Sequence, residues 1–220
     1  MYPVDLAEIL EEFDQKHMVL VFRLLAKEEA AETFSYMDSD TREDLINALT
    51  DSELEEIMEE MYLDDTVDVL EEMPANVVDR LLMVTDEEKR QQINQLLQYP
   101  EDSAGSIMTA EYVGLKKTMT VEQAFAYIRR HGVDKETIYT CYVTENNRKL
   151  IGMITMRTLI LAEDDDVLEE IMEHNVIAVN TLEDQENVAQ MFTKYDFSAL
   201  PVVDQENRLV GIVTVDDAMD

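Results

Sequence analysis

The chain has 220 residues, with 50 Asp and Glu against 17 Lys and Arg, so its formal net charge at pH 7 is −33. Such a surface is poorly suited to DNA, RNA or anionic lipid, because neutralising phosphates requires Lys and Arg. The hydrophobic fraction of 46% excludes a disordered acidic tail, and the single cysteine excludes an internal disulfide.

The N-terminus shows no targeting sequence. It reads MYPVDLAEILEEFDQ, without the basic and apolar regions of a signal peptide, and no run in the chain approaches the 18 apolar residues of a membrane span. A lone cysteine also fits a reducing compartment. We therefore expect a soluble, cytosolic polypeptide.

Residues 1–99 predict an all-α domain built on a repeat of about twelve residues. Most units begin with a helix-start residue such as Ser39, Asp51, Asp64 or Pro74, and most end with an apolar residue. Helices of two to three turns separated by bends are typical of a right-angled superhelix or solenoid. The six units are AKEEAAETFSYM (26–37), DSDTREDLINAL (38–49), TDSELEEIMEEM (50–61), YLDDTVDVLEEM (62–73), PANVVDRLLMVT (74–85) and DEEKRQQINQLL (86–97).

Pro and Gly first cluster at YPEDSAG (99–105), which marks the domain boundary, with a linker at residues 100–106. Two copies of a second repeat follow, at 107–165 and 166–220. Each copy has a Met-containing turn (Met108, Met172), a short strand, a Thr-rich helix cap (Thr118 and Thr120, then Thr181), a helix, two strands joined by a polar hairpin, and a second helix. A β-α-β-β-α unit of this size cannot bury its own core, so the two copies should pair.

The paired copies resemble CBS domains through IMT (107–109), LPVVD (200–204) and GIVTVDD (211–217). Together with the acidic helical region and YPEDSAGSIMTAEYV (99–113), the chain resembles the cytosolic region of the MgtE family of magnesium channels and transporters. The resemblance implies an α+β chain with an all-α superhelical N-terminal domain followed by a tandem CBS-domain pair. It also implies a homodimer formed through the CBS domains.

In that family, a connecting helix and a membrane pore domain follow this region. The chain ends at Asp220, inside a helix predicted to begin at Val215, so we expect it to be a fragment that does not transport ions by itself.

The resemblance assigns Mg²⁺ ligands residue by residue. Mg²⁺ takes oxygen ligands and keeps several of its waters, so facing carboxylates are sufficient to bind it. Any one of these carboxylates could instead be a helix cap or part of a solvated face. The assigned positions are Glu32, Asp64, Asp68, Asp184, Glu186, Asp196, Asp217 and Asp220.

CBS pairs often bind adenine nucleotides, which makes ATP or a related nucleotide a second expected ligand. Thr214 and Asp217 match the family's phosphate and ribose contacts in the second copy. The first copy has Thr158 where the Asp would stand, with Arg157 available to a phosphate. A plain helix N-cap is the structural alternative for Thr214.

We interpret the remaining candidate residues, a cysteine and several methionines, as side chains of the hydrophobic core. Cys141 lies in an apolar run, and Met58, Met61, Met73 and Met83 occupy apolar helical positions. The three histidines are scattered, and no nucleophile or base motif is present, so we predict no catalytic residues and no enzyme.

The sequence therefore predicts a Mg²⁺ sensor, in which the ion clamps the helical domain onto the CBS pair and favours a closed pore. Two alternatives stay open at this point: an adenine-nucleotide-binding CBS regulatory module, and a helical interaction scaffold.

Overall fold

The computed structural model describes residues 1–219, which divide into a helical unit, Met1–Gln95, and an α/β unit beginning at Leu96. None of the helices in that range is long and apolar enough to cross a membrane. The helical unit contains α1 (Pro3–Glu11), α2 (Gln15–Phe22), α3 (Lys27–Tyr36), α4 (Ser39–Ala48), α5 (Asp51–Glu60), α6 (Leu63–Glu72), α7 (Ala75–Val84) and α8 (Glu87–Leu96), of which the last ends at the boundary.

The twelve-residue repeat is confirmed, because α3 to α8 are each ten residues long and begin twelve residues apart. At the three junctions from α3 to α6, each helix ends at a C-cap residue with extended backbone, and the N-cap residue that follows is extended as well. Two extended residues between helices make a sharp bend at each junction. The bends account for the superhelix that the repeat predicts.

The predicted helix starts at Ser39 and Asp51 are confirmed, because α4 and α5 begin at these residues, but the capping side chains belong to their neighbours. Asp38 and Thr50, one residue before Ser39 and Asp51, accept the capping hydrogen bonds of α4 and α5. Asp64 lies inside the first turn of α6, and the N-cap residue there, Tyr62, makes no side-chain cap. Ser and Asp next to a cap resemble the cap itself in sequence, so composition alone could not separate them.

Packing in the helical unit joins helices that are two apart in sequence: α1 with α3, α3 with α5, α5 with α7, and α2 with α4. The apolar residues that end successive repeat units, such as Met37, Leu49 and Met61, are buried between them. Met58 and Met73 are buried as expected. The expectation for Met83 is wrong, because its side chain is 81% exposed.

The α/β unit holds two copies of one motif, and in each a three-stranded sheet has its first strand parallel and its last strand antiparallel to the middle one. The first copy is β-α-β-β-α, as predicted. In the second, the described residues after the last strand form a turn at 215–219 where a helix was predicted. The elements are β1 (Gly114–Lys116), α9 (Val121–His131), β2 (Thr140–Thr144), β3 (Leu150–Thr155), α10 (Met156–Leu161), α11 (Leu168–Ile171), β4 (Val179–Asn180), α12 (Gln185–Tyr195), β5 (Ala199–Val203) and β6 (Leu209–Thr214), with a short 3-10 helix at Asn146–Arg148.

The two copies share a core, as their size requires. Tyr142 and Leu150 from the first copy pack with Ala199, Leu209 and Ile212 from the second. Burying these side chains in common lets two small motifs form one stable unit.

The helix caps of the two copies differ. The predicted cap Thr120 forms a capping box with Gln123 at the start of α9. The expectation for Thr181 is wrong, because Asp184 caps α12 through a hydrogen bond from the Glu186 amide.

Candidate functional site

Three of the assigned carboxylates lie in the helical unit, on two of its helices. Glu32 is an exposed residue of α3. Asp64 is in the first turn of α6 and is only 6% exposed, whereas Asp68, one turn later, is exposed. The Asp65 amide donates a 3.0 Å hydrogen bond to Asp64. An aspartate in the first turn of a helix is stabilised by the helix dipole, so this effect alone can explain an aspartate at position 64.

Asp196 ends α12 in the left-handed conformation, with φ 56° and ψ 40°, and its side chain is exposed. Asp is among the few residues that adopt this conformation at low cost. The rings of Tyr195 and Phe197 on either side of it stack with centroids 5.5 Å apart. The turn therefore presents an exposed aspartate whose two neighbours in the chain pack against each other.

Asp184 and Glu186 lie together at the N-terminus of α12, as their spacing predicts. They line a cleft of about 380 Å³ whose wall includes a third carboxylate, Asp102. The Asp102 carbonyl accepts a 2.8 Å hydrogen bond from the Gln185 amide. The other lining residues are Ala189, Ala218 and Met219. The cleft is therefore lined by three acidic residues, of which Asp184 already accepts a 2.9 Å hydrogen bond from the Glu186 amide.

The sequence analysis missed Asp102. The residue has φ 58°, in the left-handed region, within the segment that was interpreted only as a linker. An aspartate in a Pro- and Gly-containing turn was the available signal, since Asp favours such conformations. Its approach to α12 depends on contacts with residues more than 80 positions later, which no local pattern reveals.

Thr214 and Asp217, which were assigned to a nucleotide, lie close together and form a hydrogen bond with each other. The Thr214 hydroxyl donates to the Asp217 carboxylate, and the Thr214 amide lies 3.4 Å from the same oxygen. Thr214 is buried and Asp217 is half-buried. The remaining assigned ligand, Asp220, lies outside the described residues. A nucleotide at this position would have to compete with the Thr214–Asp217 hydrogen bond.

The first copy repeats this arrangement without the carboxylate. Thr155 accepts a 3.2 Å hydrogen bond from the Thr158 amide at the start of α10, and the two hydroxyls are 3.0 Å apart. Arg157, between them, is exposed. The pair therefore serves as a helix cap and presents no negative group.

Cys141 behaves as the core thiol that was predicted. It is fully buried on β2, and burial raises the pKa of its thiol to about 12. The thiolate, which is the form that reacts or binds metal, is therefore strongly disfavoured.

The comparisons with known proteins cover the whole chain. The family model for the MgtE intracellular N domain matches residues 1–102, and the CBS domain model matches residues 104–165 and 168–220. The magnesium transporter MgtE of Thermus thermophilus is 41% identical over 224 residues, covering 100% of this chain and 50% of that protein. The MgtE of Bacillus subtilis is 32% identical over 220 residues, with 100% and 49% coverage. The chain thus spans about half the length of the curated relatives it matches.

Two solved structures have the same fold. The crystal structure of the cytosolic domain of the Mg²⁺ channel MgtE in complex with ATP gives a TM-score of 0.94 at 41% identity, covering 100% of this chain and 90% of that one. The crystal structure of the soluble part of a magnesium transporter gives 0.91 at 33% identity, with 97% and 84% coverage.

Proposed function

This chain belongs to the MgtE family, and we propose that it is the Mg²⁺-sensing regulatory region of a magnesium channel or transporter, on the cytoplasmic side of the membrane. The observation that carries the proposal is the likeness of the whole chain to the cytosolic domain of a Mg²⁺ channel. In this proposal the pore belongs to the other half of a longer protein, in keeping with the coverage of the relatives. Bound Mg²⁺ favours a compact state that closes the pore, so uptake is limited when the ion is abundant.

In this proposal, electrostatic repulsion between the two acidic units opposes the compact state when Mg²⁺ is absent. Residues 1–95 contain 27 Asp and Glu against seven Lys and Arg, and the rest of the chain is also acidic. Two carboxylates about 5 Å apart repel by roughly 3 kcal/mol at an effective dielectric constant near 20. A divalent cation between such groups reverses the sign of the interaction. Binding and closure are then one linked equilibrium, in which the ion stabilises only the closed state.

The proposed ligands on the helical unit are Glu32, Asp64 and Asp68. Those on the CBS pair are Asp184, Glu186, Asp196, Asp217 and Asp220. The exposure of Glu32, Asp68 and Asp196 supports this role, because hydrated Mg²⁺ can reach them without unfolding.

We also propose that the chain forms a homodimer through its CBS pair. Three large apolar side chains of the first copy are strongly exposed: Tyr139 (73%), Ile160 (65%) and Leu161 (74%). Ile160 and Leu161 are adjacent on α10, and apolar side chains exposed together favour a protein partner. A second copy would cover them symmetrically.

A nucleotide-binding regulatory module is the second candidate, favoured by the ATP complex of the 41% identical Mg²⁺ channel domain. It predicts saturable ATP binding that is lost in Thr214→Ala or Asp217→Ala. The hydrogen bond between these two residues uses the Thr214 hydroxyl proton, so a phosphate that takes this proton must displace the bond.

Calorimetric titration with MgCl₂ tests the principal proposal. The Glu32→Gln/Asp196→Asn double variant removes two assigned carboxylates, and Asn keeps the left-handed conformation at 196 accessible. The matched control is Glu55→Gln/Glu59→Gln, which removes two exposed charges of α5 that no assignment includes.

We expect saturable Mg²⁺ binding that the first variant weakens and the control retains. Equal weakening in both variants would mean that Mg²⁺ only screens the overall charge, and the proposal would fail.

A further inference from the structure

Residues 99–109, here called the connecting segment, lead from the helical unit into the first copy of the CBS motif, yet they bond to the second. The Ala104 amide donates to the Glu183 carbonyl at 2.8 Å, and the Gly105 amide donates to the Thr181 carbonyl at 2.9 Å. The Gln185 amide donates back to Asp102. The segment thus runs along the residues that join β4 to α12 and along the start of α12.

The end of the connecting segment is fixed to β6. Thr109 and Ile212 exchange two backbone hydrogen bonds, of 2.8 and 2.9 Å. Met108 packs against Gly211 so closely that a Cβ added there would lie 2.8 Å from the Met108 sulfur and 2.6 Å from the Thr109 carbonyl oxygen. Only glycine permits this approach of one backbone to the other. β6 continues directly into the turn that contains Thr214 and Asp217.

A matching contact lies on the other side of the pair and serves as an internal reference. Met172, which follows α11 in the second copy, packs against Gly152 of β3, where an added Cβ would lie 2.5 Å from its sulfur. Met153 and Glu173 exchange backbone hydrogen bonds of 2.9 and 2.8 Å. This second contact joins the two copies to each other but involves nothing that leads from the helical unit.

The connecting segment is also buried where it binds. Ala104 and Thr109 are fully buried, and Ser103 and Met108 are 4% and 3% exposed. Five backbone hydrogen bonds and this burial make the segment part of the second copy in mechanical terms, although in sequence it leads into and begins the first copy.

We propose that the connecting segment transmits the state of the helical unit directly to β6 and to the adjoining Thr214–Asp217 hydrogen bond, bypassing the β1–β3 sheet of the first copy. The inference rests on the proposed function, because Mg²⁺ is what changes the state of the helical unit. A force on the segment is carried to β6 by the Thr109–Ile212 hydrogen bonds and by the Met108 contact. The first copy meets the second through a separate set of contacts.

Amide hydrogen exchange, with MgCl₂ compared with KCl of equal ionic strength, tests this inference. We expect Mg²⁺ to slow exchange at Gly105, Thr109 and Ile212 by about threefold or more. Met153 and Glu173, at the reference contact, should change little. Equal slowing at both contacts would overturn the inference and leave the proposed function standing. The absence of any Mg²⁺-specific change, in the helices or in the strands, would overturn both.

A matched pair of variants sharpens the test. Met108→Ala should reduce the Mg²⁺ effect at Ile212, because only the backbone hydrogen bonds then remain, whereas Met172→Ala, which removes the same side chain from the reference contact, should retain it in full. Met108→Leu keeps the volume and should restore the effect. Reduction of the effect in Met172→Ala as well would contradict the inference. If Met108→Ala does not fold, as judged by circular dichroism, the comparison of the two contacts in the unmodified chain decides.

Discussion

Arg80→Met is expected to destabilise the helical unit by about 2 kcal/mol, because Arg80 of α7 satisfies the end of another helix. Its guanidinium donates to the carbonyls of Ile46 and Leu49 at 2.6 and 2.8 Å, and both residues belong to the C-terminal end of α4. The same group bonds Asp51 at 2.7 and 3.0 Å. Carbonyls at a helix C-terminus have no partner within the helix, and a cation there also complements the helix dipole.

The magnitude follows from what each contact contributes. Hydrogen bonds to a charged group contribute about 1.5–3 kcal/mol when they are buried. The Arg80 side chain is 31% exposed, so water partly replaces its two carbonyl contacts when it is removed. Asp51 is 73% exposed, and such a surface ion pair adds less than about 1 kcal/mol. A loss of about 2 kcal/mol corresponds to a fall in melting temperature of roughly 10 °C for a unit of this size.

Scanning calorimetry of the whole chain measures the effect, with Arg23→Met as the matched control. Arg23 forms a two-point ion pair with Glu53 at 2.6 and 3.1 Å, but its side chain is 41% exposed, and within residues 1–219 it makes no hydrogen bond to a backbone carbonyl. We expect the control to shift the transition by only a few degrees. A shift for Arg80→Met no larger than that of the control would refute the claim that Arg80 stabilises the C-terminal end of α4.

Three further predictions follow from single side chains. Hydrogen bonding from Arg23 lowers the pKa of Glu53 from 4.5 to about 2, so its contribution is present above pH 4.5 and lost as the pH falls towards 2. Urea unfolding at a series of pH values should therefore show a slightly smaller acid loss of stability, by under about 1 kcal/mol, in Glu53→Gln, and equal losses would contradict this. Cys141 should react with a disulfide reagent in urea but hardly at all in the folded chain, since burial raises its pKa to about 12; rapid reaction without urea would disprove the buried assignment. Leu161→Glu should shift the sedimentation of a CBS-linked dimer to that of a single chain, and an unchanged dimer would remove α10 from the interface.

The helical unit was largely predictable because its signal is local and repeated. The apolar residues that end the first four twelve-residue units, Met37, Leu49, Met61 and Met73, are buried at the bends. Met83 shows the limit of this reasoning. It occupies an apolar position of a helix, but no neighbouring helix covers it, and a periodic pattern cannot show which faces find a partner.

The two repeated motifs of the α/β unit were predictable, but the contacts between segments that are distant in sequence were not. The strands of each copy and the cap at Thr120 follow from short sequence patterns. The approach of Asp102 to α12 and of Met108 to Gly211 joins residues more than 80 and more than 100 positions apart. The only sign of such close backbone packing in the sequence is a glycine, and a single glycine in a strand can be explained in several other ways.

Of the candidate site, the residue types and their local spacing could be predicted, since Asp184 and Glu186 do share the start of one helix. Burial could not be predicted: Asp64 is 6% exposed although Asp68, one turn away on the same helix, is exposed. The pairing of Thr214 with Asp217 was also missed, because a threonine and an aspartate three residues apart fit a ligand site and a closed turn equally well.

Small-angle scattering during a MgCl₂ titration, against KCl of equal ionic strength, tests the central claim that Mg²⁺ drives this chain into a compact state. Matching the ionic strength is necessary because 0.1 M salt alone screens exposed charges over about 10 Å. We predict that the radius of gyration falls in MgCl₂ and not in KCl, and that Glu32→Gln/Asp196→Asn weakens the fall while Glu55→Gln/Glu59→Gln does not. Superimposable curves in the two salts would contradict the claim.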